Sequence, residues 1–221
     1  MRGYLLTVLL LCSALAAYPD STDRLFVRPW TELEPLVRID NGPYPIPVDT
    51  AEKSLLDNAQ SLISGMVYGW TFTYIPGDLS RRVTESFVMT PIAVIPRGTP
   101  RLRVLETEVD DTRLWARVAY TMDDDETHRR AAWDSNTAAM STGQGKADVL
   151  AGADARMDSL RDAIRDAIRR ALDTRYVNKP REITGEVVLW DDPDVLVRSG
   201  SWMTTIKVKL VVRELEAYRI F

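Results

Sequence analysis

Apolar residues along this chain recur with two different periods, and the alternation between them outlines the fold. From a cap at Asp49 or Thr50, Ala51, Leu55, Ala59, Leu62 and Met66 form a helical stripe that Leu56 and Ile63 widen, ending near Gly65. The period then drops to two. Tyr68, Trp70, Phe72 and Tyr74 alternate with Val67, Gly69, Thr71 and Thr73, which predicts a strand stopped by Pro76 and Gly77. Residues 79–90 suggest a short helix with Leu79, Val83 and Phe87 inward, and 91–100 are too rich in proline for anything but an edge strand or loop. Residues 101–109 and 112–122, joined at Asp110-Asp111, read as a hairpin with Leu114, Ala116, Val118, Tyr120 and Met122 on one face.

The acidic run Asp123, Asp124, Asp125, Glu126 interrupts this pattern, and 127–148 read as a loop or weak helix around Trp133. From about Lys146 to Arg175, Leu150, Ala153, Met157, Leu160, Ile164, Ala167, Ile168, Ala171 and Leu172 give the strongest helical signal in the chain. Asp154, Asp158, Asp162 and Asp166 stack beside Arg161, Arg165 and Arg169 on its predicted outer side. Long strand-like runs close the chain at 181–190 and 200–215, the second alternating Ile206, Val208 and Leu210 with Lys207 and Lys209. The whole predicts an α+β fold: one antiparallel sheet carrying a long amphipathic helix and one or two shorter ones, with runs 103–122 and 183–213 as partners. Helix followed by strands occurs twice, in 49–125 and 146–221, an order that suggests two similar halves in the single domain over 49–221, although no residue-level repeat accompanies it.

The first 48 residues behave differently. Arg2, an apolar run from Tyr4 to Leu11 and the small residues Ala14 and Ala16 make a signal peptide over 1–16, cleaved before Ala17. The apolar run falls short of the roughly 20 residues a membrane span needs, and charges break every later one, so no transmembrane segment is expected. Lipidation of Cys12 is the alternative, and it alone would attach the protein to a membrane. Residues 17–48 hold Pro19, Pro29, Pro35, Pro43, Pro45 and Pro47, which predicts an extended arm with short edge strands at "RLFVRPW" and "PLVRI".

Cys12 is the only cysteine, so a chain starting at Ala17 has neither disulfides nor thiolate metal sites, which fits a bacterial periplasm. A net charge of -4 argues against a nucleic-acid partner. "STGQGKAD" imitates a phosphate loop, but Met140 stands where the first glycine belongs and Ala147 where the hydroxyl residue belongs. His128 is the only histidine, and the acidic run before it lacks EF-hand spacing, so a solvated loop is the reading and no metal or cofactor is expected. Neither G-x-S-x-G nor H-E-x-x-H occurs, and among 32 acidic residues a facing pair is a matter of chance. The protein therefore reads as non-enzymatic.

At "YGWTFTYIPGD", "NKPREITGEVVL" and the closing "AYRIF", the chain resembles uncharacterised secreted proteins of spirochaetes over roughly residues 60–221. That resemblance implies an exported bacterial protein and brings no site residues. The leading functional reading is an exported, non-enzymatic binding or structural module of the bacterial cell envelope, with an envelope protein as partner. The alternative is a carrier of a small apolar ligand, with Tyr68, Trp70, Phe72 and Tyr74 as its floor. A hydrolase using acidic residues comes third. For the aromatic row itself, the inner face of the sheet beneath a helix is the first reading, since each ring buries about 150–250 Å².

Overall fold

The computed structural model describes residues 23–35, 38, 43–135, 137–151, 155–173 and 179–218. The leader, Cys12, the start of the arm and most of "PLVRI" lie outside the described residues. The fold is α+β, with two antiparallel sheets where the sequence suggested one. Arm residues supply β1 (Arg24–Val27) and β2 (Trp30–Glu32), which lie end to end along one side of β6 (Arg113–Thr121), with β5 (Leu102–Asp110) on the other. The hairpin thus takes its partners from the arm, not from the C-terminal strands. Pro29 sits at the break between β1 and β2, where it costs no ladder donor.

The second sheet runs β4 (Ser86–Pro91), β3 (Trp70–Ile75), β8 (Glu182–Leu189), β10 (Ser201–Glu216) and β7 (Ala139–Asp148), with β9 (Asp194–Arg198) continuing the line of β8 along β10. Ser199 and Gly200, both at positive φ, make the two-residue turn from β9 to β10. Between the sheets lies α1 (Val48–Val67), which buries Ala51, Leu55, Ala59, Ile63, Met66 and Val67 against Val118 and Tyr120 of one sheet and Val187 of the other. No side chain caps it; its first turn closes on the carbonyl of Pro47. The long helix α3 (Ala155–Asp173) joins the same core through Leu160, Ile164, Ile168 and Leu172.

Three stretches depart from the sequence reading. Residues 79–90 form no helix: Asp78 and Val83 close a turn, and β4 follows, with Phe87 and Met89 turned inward beside Tyr74 and Phe72. Pairing with β3 satisfies a row of backbone groups that a short helix would leave open. The acidic run and the residues after it form α2 (Asp124–Ala132), opened by a capping box between Asp123 and Glu126. The exposed His128 lies on this helix rather than in a loop.

The third departure is β7, a strand where a helix lead-in was expected; α3 begins only at Ala155. Its sequence, "AMSTGQGKAD", hides the strand because α3 lies directly upon it. A Cβ at Gly143 would collide with the Ala163 carbonyl, and one at Gly145 with that of Ser159. Such close approach demands small residues in place of the β-branched ones that announce a strand. The aspartate ladder of α3 also has a second task. Asp166 accepts from the backbone N–H of Gln144 and Asp162 from that of Lys146, both at 3.0 Å, so the helix closes the free edge of β7. Asp158–Arg161 and Asp166–Arg169 pair at 3.1 and 2.7 Å, and Asp162 pairs with Arg165, as the spacing implied. Among the described residues, no helix is long and apolar enough to cross a membrane.

Candidate functional site

Trp30 and Trp115 are direct partners across β2 and β6, so both rings project from the same face of that sheet. Their centroids stand 5.6 Å apart at 39°. Trp202, from the start of β10, tilts against Trp30 at 5.8 Å, and Ala155 at the start of α3 fills the space beneath them. This second cluster ties the two sheets together: β2 and β6 belong to one, β10 and β9 to the other.

Arginines cover its rings. The guanidinium carbons of Arg113 and Arg156 lie 4.1 and 4.2 Å from the Trp30 ring centroid, and that of Arg28 lies 5.1 Å from Trp115. Delocalised guanidinium groups suit such faces because they are weakly hydrated and planar. Arg156 also donates Nη1–H to the Trp30 carbonyl at 2.6 Å. Removal from water pulls its pKa down to about 10; the field of Glu32 and Asp192 opposes this shift and the charge of Arg113 adds to it. On the rim, Asp192 accepts the backbone N–H of Arg28 at 2.7 Å. Partial desolvation raises its carboxyl pKa, against the Arg28 N–H and the charge of Arg156.

Between these groups lies a cleft of about 290 Å³, walled by Trp30, Trp115, Leu62, Leu160 and Met157, with Arg156 and Asp192 among its polar lining residues. Its size falls at the lower end of small-molecule sites, about 300–1,000 Å³, and its make-up of apolar walls with a few polar groups is typical of them. No serine, cysteine or histidine is among its lining residues.

The aromatic row has a different setting. Trp70, Phe72 and Tyr74 are buried and face the helices, while Thr71 on the opposite face is exposed. The Trp70 ring lies on Gly65 and the Phe72 ring on Gly185, so tightly that a Cβ at either glycine would collide with it. The Tyr74 hydroxyl donates to Glu85 at 2.7 Å, and its ring meets Phe87 edge-on at 6.4 Å. Tyr68 is not on the strand; it caps the C-terminus of α1. Its hydroxyl donates to the buried Glu126, which also accepts from the Tyr120 hydroxyl at 2.8 Å and from Arg101 at 2.6 Å. Burial and the Glu126 carboxylate push the Tyr68 pKa up to about 12. The four residues do not share one opening: Trp70 borders a cavity of about 210 Å³ and Tyr74 a separate one of about 380 Å³.

Sequence reasoning passed over Trp30, Trp202 and Arg156. One signal was available: Trp115 falls on the arginine-bearing, outer face of its strand, where a large ring needs a cover from elsewhere in the fold.

A family model matches residues 14–218, and the chain belongs to that family. It is similar to a protein of Treponema pallidum (strain Nichols) described as "Uncharacterized protein", with 24% identity over 193 residues that make up 87% of this chain and 81% of the relative. No solved structure matches it.

Proposed function

We propose that this protein is an exported, non-enzymatic binding module of the bacterial cell envelope, and that it receives a small ring-bearing ligand in the cleft of Trp30, Trp115 and Arg156. The observation that carries the reading is the cleft itself: an opening of about 290 Å³ at the junction of two sheets, held by aromatic and arginine side chains. Such groups recognise and retain a ligand; they do not make a nucleophile and its base. Export rests on the leader at 1–16, and N-terminal sequencing of the natural protein is expected to find Ala17. Binding is tested by tryptophan emission during titration with one-ring compounds. Unchanged emission with every compound, in wild type and Trp115→Ala alike, overturns the receptor assignment.

A partner-protein reading draws on a different surface. All of β5 after Leu102 is exposed, and it forms the free edge of its sheet with Val104, Leu105 and Val109 outward. An extended segment of an envelope protein could add to that edge by backbone hydrogen bonds. Crosslinking from residues placed at 106 or 108 in cells tests it, and the absence of any adduct counts against it.

A further inference from the structure

We infer that the cleft is selective for a small monocarboxylate with an apolar body of about one ring, its carboxylate held by Arg156. The inference rests on the receptor reading above and adds the charge of the ligand to it.

The arginines of α3 carry the first observation. Arg161, Arg165, Arg169 and Arg170 each pair with an aspartate three or four residues earlier on the helix. Arg156 has no carboxylate within ion-pair distance among the described residues; its one hydrogen bond goes to the Trp30 carbonyl at 2.6 Å. A guanidinium has five N–H donors in a planar fork matched to a carboxylate. This one is half-buried and lines an open cleft. A cation taken from water without an anionic partner is a standing cost that an incoming anion would offset.

The second observation weighs against the opposite charge. Tryptophan-walled sites often hold cations, which sit over the ring faces. Here Arg113 and Arg156 already stand over Trp30, and Arg28 over Trp115. A further cation would meet three positive groups and find those faces covered. Glu32 and Asp192 both temper this field, and Asp194 also lines the cleft; of these, Asp192 is engaged by the Arg28 N–H at 2.7 Å. Its charge also sets the polarity of the site, with the ligand's anionic end directed toward Arg156 and away from Asp192. Leu62, Leu160 and Met157 remain for the apolar body. The volume of about 290 Å³ limits that body to a small one.

Phenylacetate, phenylacetamide and phenethylamine share a ring and a chain while differing in charge. Calorimetric titration of the full mature chain is expected to rank them in that order. Phenylacetate should exceed phenylacetamide by about ten-fold or more, the size of one charge-assisted hydrogen bond. Arg156→Gln should remove that preference while leaving phenylacetamide binding in place. Should Arg156→Gln not fold, the wild-type ranking decides alone. Equal affinity for acid and amide would overturn the charge assignment and leave the receptor standing. Preference for the amine would overturn it outright. Failure of all three compounds to bind would overturn the receptor reading and this inference with it.

Discussion

The rings of β3 and the rings at the sheet junction differ in what lies over their faces. Trp70 and Phe72 come from one strand and press onto Gly65 and Gly185, whose missing side chains make room for them. Trp30, Trp115 and Trp202 come from three strands in two sheets and meet at angles of about 40°. Tilted rings of that size leave gaps, and arginine side chains close only part of them. Aromatic residues on one regular strand therefore fill a core, because the opposing helix is fitted to a single repeating surface. Those gathered from separate elements form walls, because no one element fits them all. Charge follows the same division: among the described residues no cation stands over the rings of Trp70 and Phe72, while three arginines surround Trp30 and Trp115.

The comparison can be broken most severely from the closed side. Ile164, fully buried in the core shared with the β3 row, becomes an uncompensated charge in Ile164→Asp. The variant is expected to be unfolded without denaturant, as judged by circular dichroism, because an unpaired buried charge costs several kcal/mol. A cooperative, near-normal melt would show that this face of α3 is open to water.

Next in size is Trp70→Ala, expected to cost about 3–5 kcal/mol in urea melts, the usual effect of emptying a large core site. Thr71→Ala, on the exposed face of the same strand, should change stability by no more than about 0.5 kcal/mol. Similar losses for the two would contradict the assignment of faces. Gly65→Ala probes the fit itself. Its new methyl group meets the Trp70 ring and should cost about 1–3 kcal/mol, while a neutral result would mean that the ring has room to move.

On the open side the balance between folding and binding is reversed. Trp115→Ala is expected to lose only about 1–2 kcal/mol, because the ring is half-exposed, yet to abolish the emission response to phenylacetate. A full response in this variant would place the ligand elsewhere. The smallest effect belongs to Asp162→Ala. Its partly exposed ion pair with Arg165 contributes less than about 1 kcal/mol, and its bond to the Lys146 N–H lies at a solvent-exposed edge. Asp166→Ala should cost more, since Asp166 is buried and serves Arg169, Arg170 and the Gln144 N–H together.

Legibility in the sequence followed the number of surfaces each element had to satisfy. The α1 and α3 stripes and strands β6 and β3 each face one core and show one clean period, and all were readable, as was β5 through its hairpin with β6 although it is exposed after Leu102. Strand β7 was not, because the close approach of α3 replaced its apolar signal with glycine. Strand β4 was obscured by Pro91 and by a charged lead-in, and its strand character comes from pairing with β3. Helix α2 did carry a sequence mark, the Asp123–Glu126 capping box, but it lay within a run of like charge. Of the cleft, only Trp115 was conspicuous, on an outer face beside Arg113 and Arg117.

By itself the sequence determined the α+β class, the inward face of Trp70, Phe72 and Tyr74, and the pairing of aspartate and arginine rows on α3. These depend on residues within a few positions of one another, where helix and strand geometry alone sets the neighbours. Tertiary structure decided the division into two sheets, the capture of the hairpin by the arm and the meeting of Trp30, Trp115, Trp202 and Arg156. Those residues are separated by up to 172 positions in the chain, from Trp30 to Trp202. No local period encodes such an encounter; it arises when two sheets, each satisfying its own backbone hydrogen bonds, pack against the shared helix α1.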